Sequence, residues 1–596
     1  MCGIVGYVGR DKALPKLIQG LKKLEYRGYD SAGVAYFEND NIRVRKSVGR
    51  VSSLESKLDL SILTNIGIGH TRWATHGGVT DVNSHPHSQG DITIVHNGII
   101  ENYQELKVML IDNGYKFNSD TDTEVAAGLI DYYYKEDKDI LKAMSKCINI
   151  FTGSYAIVVM VKGISDKLFV LKKDSPLVVM KSDDSMFIAS DVLAFSGEAK
   201  KYFSLDDGMI GVVGCEDATF YQEGLEIDVK YLDIDNDNYD SELGNFSHYM
   251  LKEIYEQKDL VSKWYDNYFV KGDIEKLPNI GNYKKIQIVG CGTAYHAGCV
   301  GKYLLERYGN IEVSVFIASE YRYQKLFIDE ETLVIFISQS GETADTLACI
   351  KKVKEYRAKT LGIVNVENSS IARLVDEVIY TKALSEVAVA STKAYTAQLY
   401  VISMLAFGMG IDNGILSLDD VKNTYKDLGF LIENVLKIDC SPYVKLIYDK
   451  EHIFCLGRNI DYVTMMEGSL KLKEISYIHS EAYPFGELKH GTISLISDNS
   501  VVMVMATLED LVSKTISNIK EIKARGARVI LFIRSDLADG IDRDCYDEIV
   551  LIPKASYLAQ PIINTIYLQL IAYYVALKLD RDIDKPRNLA KSVTVE

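Results

Sequence analysis

The chain begins Met1-Cys2-Gly3-Ile4-Val5-Gly6, a run of small and β-branched residues that predicts a buried first strand. If Met1 is removed, Cys2 carries a thiol and a free α-amine on one residue. The reference pKa of an α-amine is ~7.7–8.0, so near neutral pH this amine can accept the thiol proton, directly or through one water. The same stretch also fits an incidental small residue at a strand start, so the role of Cys2 depends on its companions.

The overall composition sets limits on fold and partners. At 596 residues the chain is too long for one core and predicts three or four domains of ~150 residues. Its 47% hydrophobic and 25% charged residues are typical of a soluble globular protein. The net charge of −16 argues against a nucleic-acid partner. Nine cysteines without a C-x-x-C pair predict reduced thiols in a cytoplasmic compartment, with no disulfide framework and no zinc site.

Two apolar segments, 394–411 and 561–579, need to be distinguished from membrane spans. The second is interrupted by Asn564 and Gln569, and neither is a clean run of ~20 apolar residues. Both are predicted to be helices buried in a core or a subunit interface. The N-terminus lacks a basic region followed by an apolar run, which predicts no signal peptide and no membrane partner.

The first 230 residues read as a layered α+β domain. Short strand-like runs are predicted at 3–8, 33–37, 92–96, 155–161, 167–171 and 186–189. Helical periodicity is predicted at 12–24, 103–113 and 122–135.

Four unusually polar clusters lie among these elements: 25–33 (EYRGYDSAG), 69–77 (GHTRWATHG), 95–102 (VHNGIIEN) and 119–124 (SDTDTE). A small substrate with a carboxylate and an amine needs such a set, because Arg pairs with carboxylates and Asp with ammonium groups. An Asn side chain and a Gly N–H can form an oxyanion hole.

Structural alternatives exist for several of these residues. Asp120 or Asp122 can cap the helix that follows, and Asn97-Gly98 is a common hairpin turn. His85-x-His87 resembles a metal pair, but no acidic or cysteine partner stands at ligand spacing, so we predict no metal site.

Together with Cys2, these clusters resemble the glutaminase domain of the N-terminal-nucleophile glutamine amidotransferases over residues 1 to about 230. The resemblance implies that Cys2 attacks the amide of glutamine. It also implies that Asn97 and Gly98 stabilise the oxyanion of the tetrahedral intermediate.

The same resemblance assigns the residues that hold glutamine. Arg72 and Asp122 would bind its carboxylate and its ammonium group. The supporting residues implied are Thr75 and His76 beside the amino acid, Trp73 as a gate for ammonia, and Arg27 in a loop behind the nucleophile.

From residue 249 onward, apolar strands alternate with helices in an approximate repeat, which predicts parallel sheets. The first copy has strands at 285–289, 332–337 and 359–366, and the second at 452–456, 501–506 and 528–534. The similar spacing predicts two doubly wound α/β subdomains. A polar, acidic run at 233–240 predicts a linker between the halves.

The two copies differ where chemistry is expected. Ser338-Gln339-Ser340-Gly341-Glu342-Thr343 lies between a strand and a helix, so its hydroxyl and N–H groups suit a phosphate. The alternative is simple helix capping by Ser340 or Thr343. The corresponding residues 505–508 (MATL) have few donors, so a single phosphate site is predicted, in the first copy.

The paired halves and the 338–343 loop resemble the sugar isomerase domain. End to end, the chain resembles the family of isomerizing glutamine–fructose-6-phosphate aminotransferases, the glucosamine-6-phosphate synthases. Further matching stretches are 389–393 (VASTK), 471–476 (KLKEIS), 487–491 (ELKHG) and 588–596 (NLAKSVTVE).

That resemblance implies transfer of the glutamine amide nitrogen to fructose 6-phosphate with ketose-to-aldose isomerisation, the first step towards amino sugars for cell-wall precursors. Lys591 would form a Schiff base with C2 of the opened sugar, and Glu474 would move a proton between C1 and C2. Lys471 would assist Glu474. His490, supplied by the neighbouring subunit of a homodimer, would open the ring. The contacts implied for the 6-phosphate are Thr293, Ser338, Gln339, Ser340 and Thr343. Val389 and Ala390 would line the sugar site.

Viewed singly, Lys591 is a tail lysine and Lys471–Glu474 an ordinary surface pair, so these roles rest on the joint pattern. The domains expected are a glutaminase at 1–235, a linker at 236–247, isomerase subdomains at 248–430 and 431–585, and a catalytic tail at 586–596. No cofactor is expected.

Three other functions are weighed. Amidophosphoribosyltransferase shares the glutaminase half but needs a diphosphate-binding domain, which the repeat disfavours. A sister enzyme that aminates another sugar phosphate without isomerisation remains open. A sugar-phosphate-sensing regulator would carry a DNA-binding domain in place of the Cys2 domain, and the acidic charge opposes that.

Overall fold

A computed structural model of the chain describes residues 2–73, 77–234 and 242–594. The residues group into two units, Met1–Asp240 with Ser592–Glu596, and Ser241–Lys591. Each unit is described by itself.

The first unit contains antiparallel strands and a few helices. Its strands are β1 (Gly3–Gly9), β2 (Ser31–Glu38), β3 (Asn41–Val48), β4 (Ile66–Arg72), β5 (His87–Gln89), β6 (Ile92–Ile100), β7 (Gly153–Val161), β8 (Ile164–Lys173), β9 (Val178–Lys181), β10 (Ser185–Ala189), β11 (Lys201–Ser204), β12 (Met209–Val213), β13 (Ala218–Gln222), β14 (Leu225–Ile227) and β15 (Leu232–Asp233). Its helices are α1 (Ala13–Leu24), α2 (Val51–Glu55), α3 (Tyr103–Asp112), α4 (Asp122–Asp137) and α5 (Ile140–Ile150), with 3₁₀ turns at Glu25–Arg27 and Val192–Phe195.

Within the described residues the strands form an eight-stranded sheet, β15-β11-β9-β10-β1-β4-β2-β3, and a seven-stranded sheet, β14-β13-β12-β8-β7-β6-β5. Side chains alternate along β1, because Val5 and Tyr7 pack with α1 whereas Ile4 and Val8 pack between the two sheets. The opposite face of the second sheet packs against α4 and α5. The layers therefore run helix, sheet, sheet, helices, which confirms the predicted layered α+β fold.

The second unit alternates strands and helices. Its strands are β16 (Lys285–Gly290), β17 (Glu312–Ile317), β18 (Thr332–Ser338), β19 (Lys359–Val364), β20 (Glu377–Tyr380), β21 (His452–Gly457), β22 (His479–Pro484), β23 (Val501–Ala506), β24 (Arg528–Arg534) and β25 (Glu548–Ile552). Its helices are α6 (Tyr249–Tyr265), α7 (Gly292–Gly309), α8 (Ala318–Tyr321), α9 (Ala344–Val353), α10 (Ser370–Leu374), α11 (Lys393–Asp412), α12 (Leu418–Lys426), α13 (Leu428–Val435), α14 (Ser441–Ile447), α15 (Ile460–Ser476), α16 (Glu509–Lys523) and α17 (Gln560–Lys578). Short helical turns lie at Asp266–Val270, Asp273–Lys276, Glu487–His490, Thr492–Leu495, Ser535–Leu537 and Arg543–Cys545.

The two parallel sheets of this unit have the same strand order, β17-β16-β18-β19-β20 and β22-β21-β23-β24-β25. In each, the first strand lies between the second and the third, which is a doubly wound arrangement. The predicted repeat of two α/β subdomains is confirmed. Ligands of such sheets bind at the carboxyl ends of the strands, where the order reverses, which here includes the loop after β18.

The two apolar segments are the buried helices α11 and α17. Among the described residues, α11 is the one helix long and apolar enough to cross a membrane, and 89% of that stretch is buried inside the protein. Thr396 of α11 and Gln569 of α17 both bond to Gln257 of α6, which donates to Gln569 at 2.8 Å and accepts from Thr396. Buried amides satisfied in this way belong to a protein core, so the prediction of core helices is confirmed.

Candidate active sites

Cys2 lies immediately before β1, where the backbone N–H of Trp73 donates to its Sγ at 3.3 Å. Burial raises the pKa of the Cys2 thiol, and this outweighs the lowering by the Trp73 N–H and by Arg72. The resting group is therefore a thiol that needs a base before it can act as a nucleophile.

A cavity opens beside this thiol. It is lined by Cys2, Arg72, Trp73, His85, His96, Gly98, Thr121, Asp122 and Thr123. Five of these were predicted as site residues, and the structure brings them together. Thr75 and His76 lie outside the described residues.

Arg72 and Asp122 are fixed by backbone contacts. The guanidinium of Arg72 donates to the carbonyls of Gly77 at 3.2 Å and Gly78 at 3.1 Å. The carboxylate of Asp122 accepts from Ile100 N–H at 2.8 Å. The cap of α4 is Thr121 and not Asp122, so the capping alternative for Asp122 is wrong.

Asn97 and Gly98 lie inside β6, paired with Ala156 and Tyr155 of β7. The hairpin-turn alternative is therefore wrong. The Asn97 Nδ2 donates to the carbonyl of Cys2 at 3.0 Å. Gly98 has φ +123°, and a Cβ there would lie 2.0 Å from the carbonyl oxygen of Ser154, so only glycine fits.

Arg27 lies in the 3₁₀ turn after α1 and does not line the cavity. Its guanidinium pairs with Asp191, and its Nε donates to the Tyr26 hydroxyl at 3.1 Å. Through these contacts Arg27 stabilises the loop, and its guanidinium is not directed at a ligand in the cavity.

Histidines that the sequence analysis did not assign surround the cavity. The rings of His70 and His85 stack with centroids 4.0 Å apart. His87 Nε2 lies 3.2 Å from the Thr121 hydroxyl, and His85 Nε2 lies 3.3 Å from that of Thr123. Burial lowers the pKa of His85 and His87 well below the ordinary value, so both are neutral.

In the second unit the ammonium group of Lys591 pairs with Glu386 and donates to the carbonyl of Ala388 at 2.8 Å. The Glu386 carboxylate accepts from the N–H groups of Thr392 at 2.9 Å and Ala394 at 3.0 Å, in the first turn of α11. Burial alone would raise the pKa of Glu386, but Lys591 and these N–H groups hold it below its ordinary value. The sequence did not predict Glu386 as a site residue, because it precedes the VASTK motif without belonging to it.

Three charged residues of α15, at positions i, i+4 and i+7, share one buried face. Lys471 Nζ lies 2.5 Å from Glu474 and 3.4 Å from Glu467, with the side chains of Lys471 and Glu467 wholly buried. Glu467 also accepts from Thr293 at 3.1 Å and lies 2.7 Å from His296 Nδ1. The surface-pair alternative for Lys471–Glu474 is wrong. Glu467 and His296 were missed, although the four-residue spacing from Lys471 was a signal for Glu467.

The electrostatics of this cluster favour a proton-transfer role for Glu474. Burial raises the pKa of Glu474, while Lys471 and Lys591 oppose that rise. Burial disfavours the charge of Lys471, but Glu474 and Glu467 hold its pKa above the ordinary value. Because the charge of Lys591 acts on Glu474, the two clusters belong to one electrostatic environment.

The predicted phosphate loop follows β18 and leads into α9. The hydroxyl of Ser338 accepts from Gly341 N–H at 3.1 Å and lies 2.9 Å from the Thr343 hydroxyl. The Gln339 carbonyl accepts from Asn365 N–H at 3.2 Å. Gly341 has φ +66° and leaves no room for a Cβ. Thr343 makes no side-chain capping bond to α9 within the described residues, so capping does not explain it.

The second copy has an internal anion at the equivalent point. The carboxylate of Asp461, on α15, accepts from both the N–H and the hydroxyl of Thr507, just after β23. Burial raises the pKa of Asp461 to about 6. In the second copy the donors of Thr507 are thus already bound to a carboxylate of the protein. At the equivalent point the first copy has a loop of hydroxyl groups, and this difference favours a single phosphate site in the first copy.

The remaining predicted residues lie in separate places. Val389 N–H donates to the Asp584 carbonyl at 3.0 Å, and Ala390 is buried next to it, in the segment that also contacts Lys591. The hydroxyl of Thr293 contacts the α15 cluster and not the 338–343 loop. His490 ends the turn Glu487–His490 and is exposed.

Known proteins resemble the chain over its whole length. Residues 72–197 match a glutamine amidotransferase domain, and residues 280–407 and 446–579 match the SIS domain. The glutamine–fructose-6-phosphate aminotransferases (isomerizing) of Clostridium tetani and Clostridium acetobutylicum are 47% and 45% identical, each covering 100% of both chains. The solved C-terminal domain of glucosamine-fructose-6-phosphate aminotransferase from Francisella tularensis is 37% identical, with a TM-score of 0.54 over 58% of this chain and 100% of that one.

Acid is expected to destabilise the first unit. Burial lowers the pKa of His70 to about 3 and the pKa values of His85 and His87 well below the ordinary value, whereas unfolded imidazoles titrate near ~6.5. Below that value the unfolded chain binds more protons than the folded one. The contribution of these histidines to the free energy of unfolding is therefore fully present above pH ~6.5. As the pH decreases below that value, the free energy falls by about 1.4 kcal/mol per pH unit for each histidine.

Urea unfolding at about pH 7 and about pH 5.5, followed through Trp73 in a Trp264→Phe background, measures this slope. In His87→Gln the side chain at position 87 cannot titrate. The fall in the free energy of unfolding between the two pH values should therefore be smaller by one histidine's contribution. His452→Gln, at an exposed site outside the first unit, is the control substitution. A midpoint independent of pH would contradict the expectation.

The Asp461–Thr507 contact should stabilise the second unit. Asp461→Asn replaces one of the two acceptor oxygens by an NH₂ group, so one Thr507 donor loses its acceptor. The free energy of unfolding should therefore fall by about 1–3 kcal/mol. Urea unfolding at about pH 8 measures the loss. Asp542→Asn, which breaks an exposed 3.0 Å pair with Lys520, should cost under ~1 kcal/mol. Equal effects of the two substitutions would count against a stabilising role.

Proposed function

Because the chain belongs to the family of isomerizing glutamine–fructose-6-phosphate aminotransferases, we propose that Cys2 releases the amide nitrogen of glutamine and that Lys591 and Glu474 use it. The enzyme transfers that nitrogen to fructose 6-phosphate with isomerisation, the first step in hexosamine synthesis. The residue assignment rests on two observations. Cys2 and Gly98 line one cavity, with Asn97 bonded to Cys2, and the charge of Lys591 opposes the rise in the pKa of Glu474.

At the first site the reaction is an acyl transfer. The α-amine of Cys2, once Met1 is removed, takes the thiol proton as the sulfur attacks the amide carbon of glutamine. The new C–O⁻ is stabilised by the amide of Asn97 and the N–H of Gly98. Collapse expels ammonia and leaves a thioester, which water cleaves to glutamate. Arg72 and Asp122 orient the substrate through its carboxylate and its ammonium group.

At the second site the loop 338–343 and Thr293 hold the 6-phosphate, and Val389 and Ala390 line the sugar site. The Lys591 amine adds to C2 of the open ketose and loses water, which gives an imine. Ammonia then adds to C2 and displaces Lys591, so that the nitrogen from glutamine remains. Glu474 takes a proton from C1 and returns one to C2, a task suited to a buried carboxyl of raised pKa.

The resting state explains why Lys591 needs the substrate. In this structure the Lys591 amine is engaged by the carboxylate of Glu386. The bound sugar must displace that pair before the amine can add to C2. Lys471 pairs with Glu474 and opposes its protonation, so that Glu474 keeps the carboxylate form that acts as the base.

The assembly proposed is a homodimer. His490 is exposed, as a residue that completes the neighbouring subunit's sugar site must be, and there it would open the ring. The nine cysteines are free, which supports a reducing cytoplasm. We place the glutaminase at 1–235, the linker at 236–247, the isomerase subdomains at 248–430 and 431–585, and the catalytic tail at 586–596.

Cys2→Ala is expected to lower glutamine-dependent synthesis of glucosamine 6-phosphate by roughly 10⁴-fold or more, because the nucleophile is lost. Binding of fructose 6-phosphate, measured by calorimetry, should be unchanged. Cys215→Ala, a partly exposed thiol of the same unit, is the matched control and should retain activity. Loss of sugar binding in a folded Cys2→Ala protein would refute the separation of the two sites.

Lys591→Arg is expected to retain glutamine hydrolysis but to stop amino-sugar formation, because a guanidinium stays protonated and cannot form an imine. Borohydride reduction in the presence of fructose 6-phosphate should add the sugar mass to the tail peptide of the wild type and of Lys585→Arg. The Lys591→Arg peptide should gain no mass. Continued product formation by that variant would remove the imine from the mechanism.

A further inference from the structure

His70 is a wholly buried residue of β4 whose side chain reaches from the eight-stranded sheet to the seven-stranded one. Its Nε2 lies 3.0 Å from the carbonyl oxygen of His96 and 3.1 Å from Oδ1 of Asn97, both on β6. The β4 strand lies beside β1, which follows Cys2. His70 therefore connects the sheet that presents the nucleophile to the sheet that presents Asn97.

The direction of these hydrogen bonds follows from two carbonyl oxygens, those of Cys2 and His96, which can only accept. The carbonyl of Cys2 can only accept, so the group 3.0 Å from it must be the NH₂ of Asn97. The oxygen of that amide then faces His70. Since the His96 carbonyl is also an acceptor, Nε2 of His70 must carry the hydrogen.

The protonation state agrees with this assignment. Burial lowers the pKa of His70 to about 3, so the ring is neutral with a single hydrogen. Among the described residues its Nδ1 has no hydrogen-bond partner, as expected for the nitrogen that lacks the hydrogen. Stacking on His85 fixes the ring plane.

We propose that His70 is a positioning residue for the oxyanion site, whose Nε2–H holds the Asn97 oxygen so that its NH₂ faces the reacting carbonyl. One N–H of that amide is bound to the Cys2 carbonyl, which leaves the other for the oxyanion. The inference rests on the proposed role of Asn97. Without the His70 donor the amide can rotate, and a donor that acts in the transition state is then poorly placed.

The first test is His70→Phe in the full-length enzyme, which keeps a ring to stack on His85 but removes the donor. The kcat for glutamine hydrolysis should fall about 10- to 100-fold, part of the effect of losing an oxyanion donor, with KM changed less than about 3-fold. His70→Gln, whose amide nitrogen reaches the position of Nε2, should restore most of the kcat. His70→Asn is one methylene too short and should not.

Two readouts separate positioning from a structural role. Alkylation of Cys2 by iodoacetamide forms no oxyanion, so its rate, followed by mass spectrometry of the N-terminal peptide, should be unchanged in His70→Phe. Synthesis with added ammonia should also be unchanged. A matching loss in alkylation would mean that the substitution disturbs the nucleophile itself, and that would overturn the proposal.

Asn97→Ala distinguishes failure of the inference from failure of the role on which it rests. If Asn97→Ala hydrolyses glutamine normally, the proposed role of Asn97 is wrong. If Asn97→Ala loses activity and His70→Phe keeps the wild-type kcat, only the inference about His70 is wrong. If the inference is right, the double variant is no slower than Asn97→Ala, because His70 acts through Asn97. Should His70→Phe not fold, the Gln and Asn variants make the same comparison.

Discussion

Polar groups withdrawn from water must find hydrogen-bond partners or opposite charges, and both sites of this chain depend on that constraint. In the first unit the amide of Asn97 is satisfied on one side by the Cys2 carbonyl and on the other by His70. In the second, the buried ammonium of Lys471 is matched by Glu474 and Glu467. In both units a buried polar group is therefore oriented by partners that the fold supplies.

The first unit divides its site between two sheets. Cys2 precedes a strand of one sheet, and Asn97 and Gly98 belong to a strand of the other. Apolar packing between the sheets brings these strands together but does not fix the orientation of a polar side chain. Directional hydrogen bonds between the sheets supply that orientation.

The second unit shows how the two copies of a repeated fold can differ at equivalent points. Both sheets have the same strand order and an equivalent strand-to-helix connection. In the first copy this connection is a loop of hydroxyl groups around Ser338, and in the second Thr507 is already bound to Asp461. A buried carboxylate that accepts the available donors leaves fewer for an external anion.

The sequence by itself determined the layered first half, the paired parallel sheets, the two buried helices and most of the cavity residues. These follow from local periodicity and from compact motifs such as 69–77 and 338–343, whose residues are close together in the chain. The tertiary structure alone revealed Glu386 beside Lys591, His296 beside Glu467, and His70 beside Asn97. It also showed that Asn97-Gly98 is strand and not turn. These facts required the fold because each depends on residues distant in sequence that meet only when sheets and helices pack, and no local pattern records which buried partner a polar group will find.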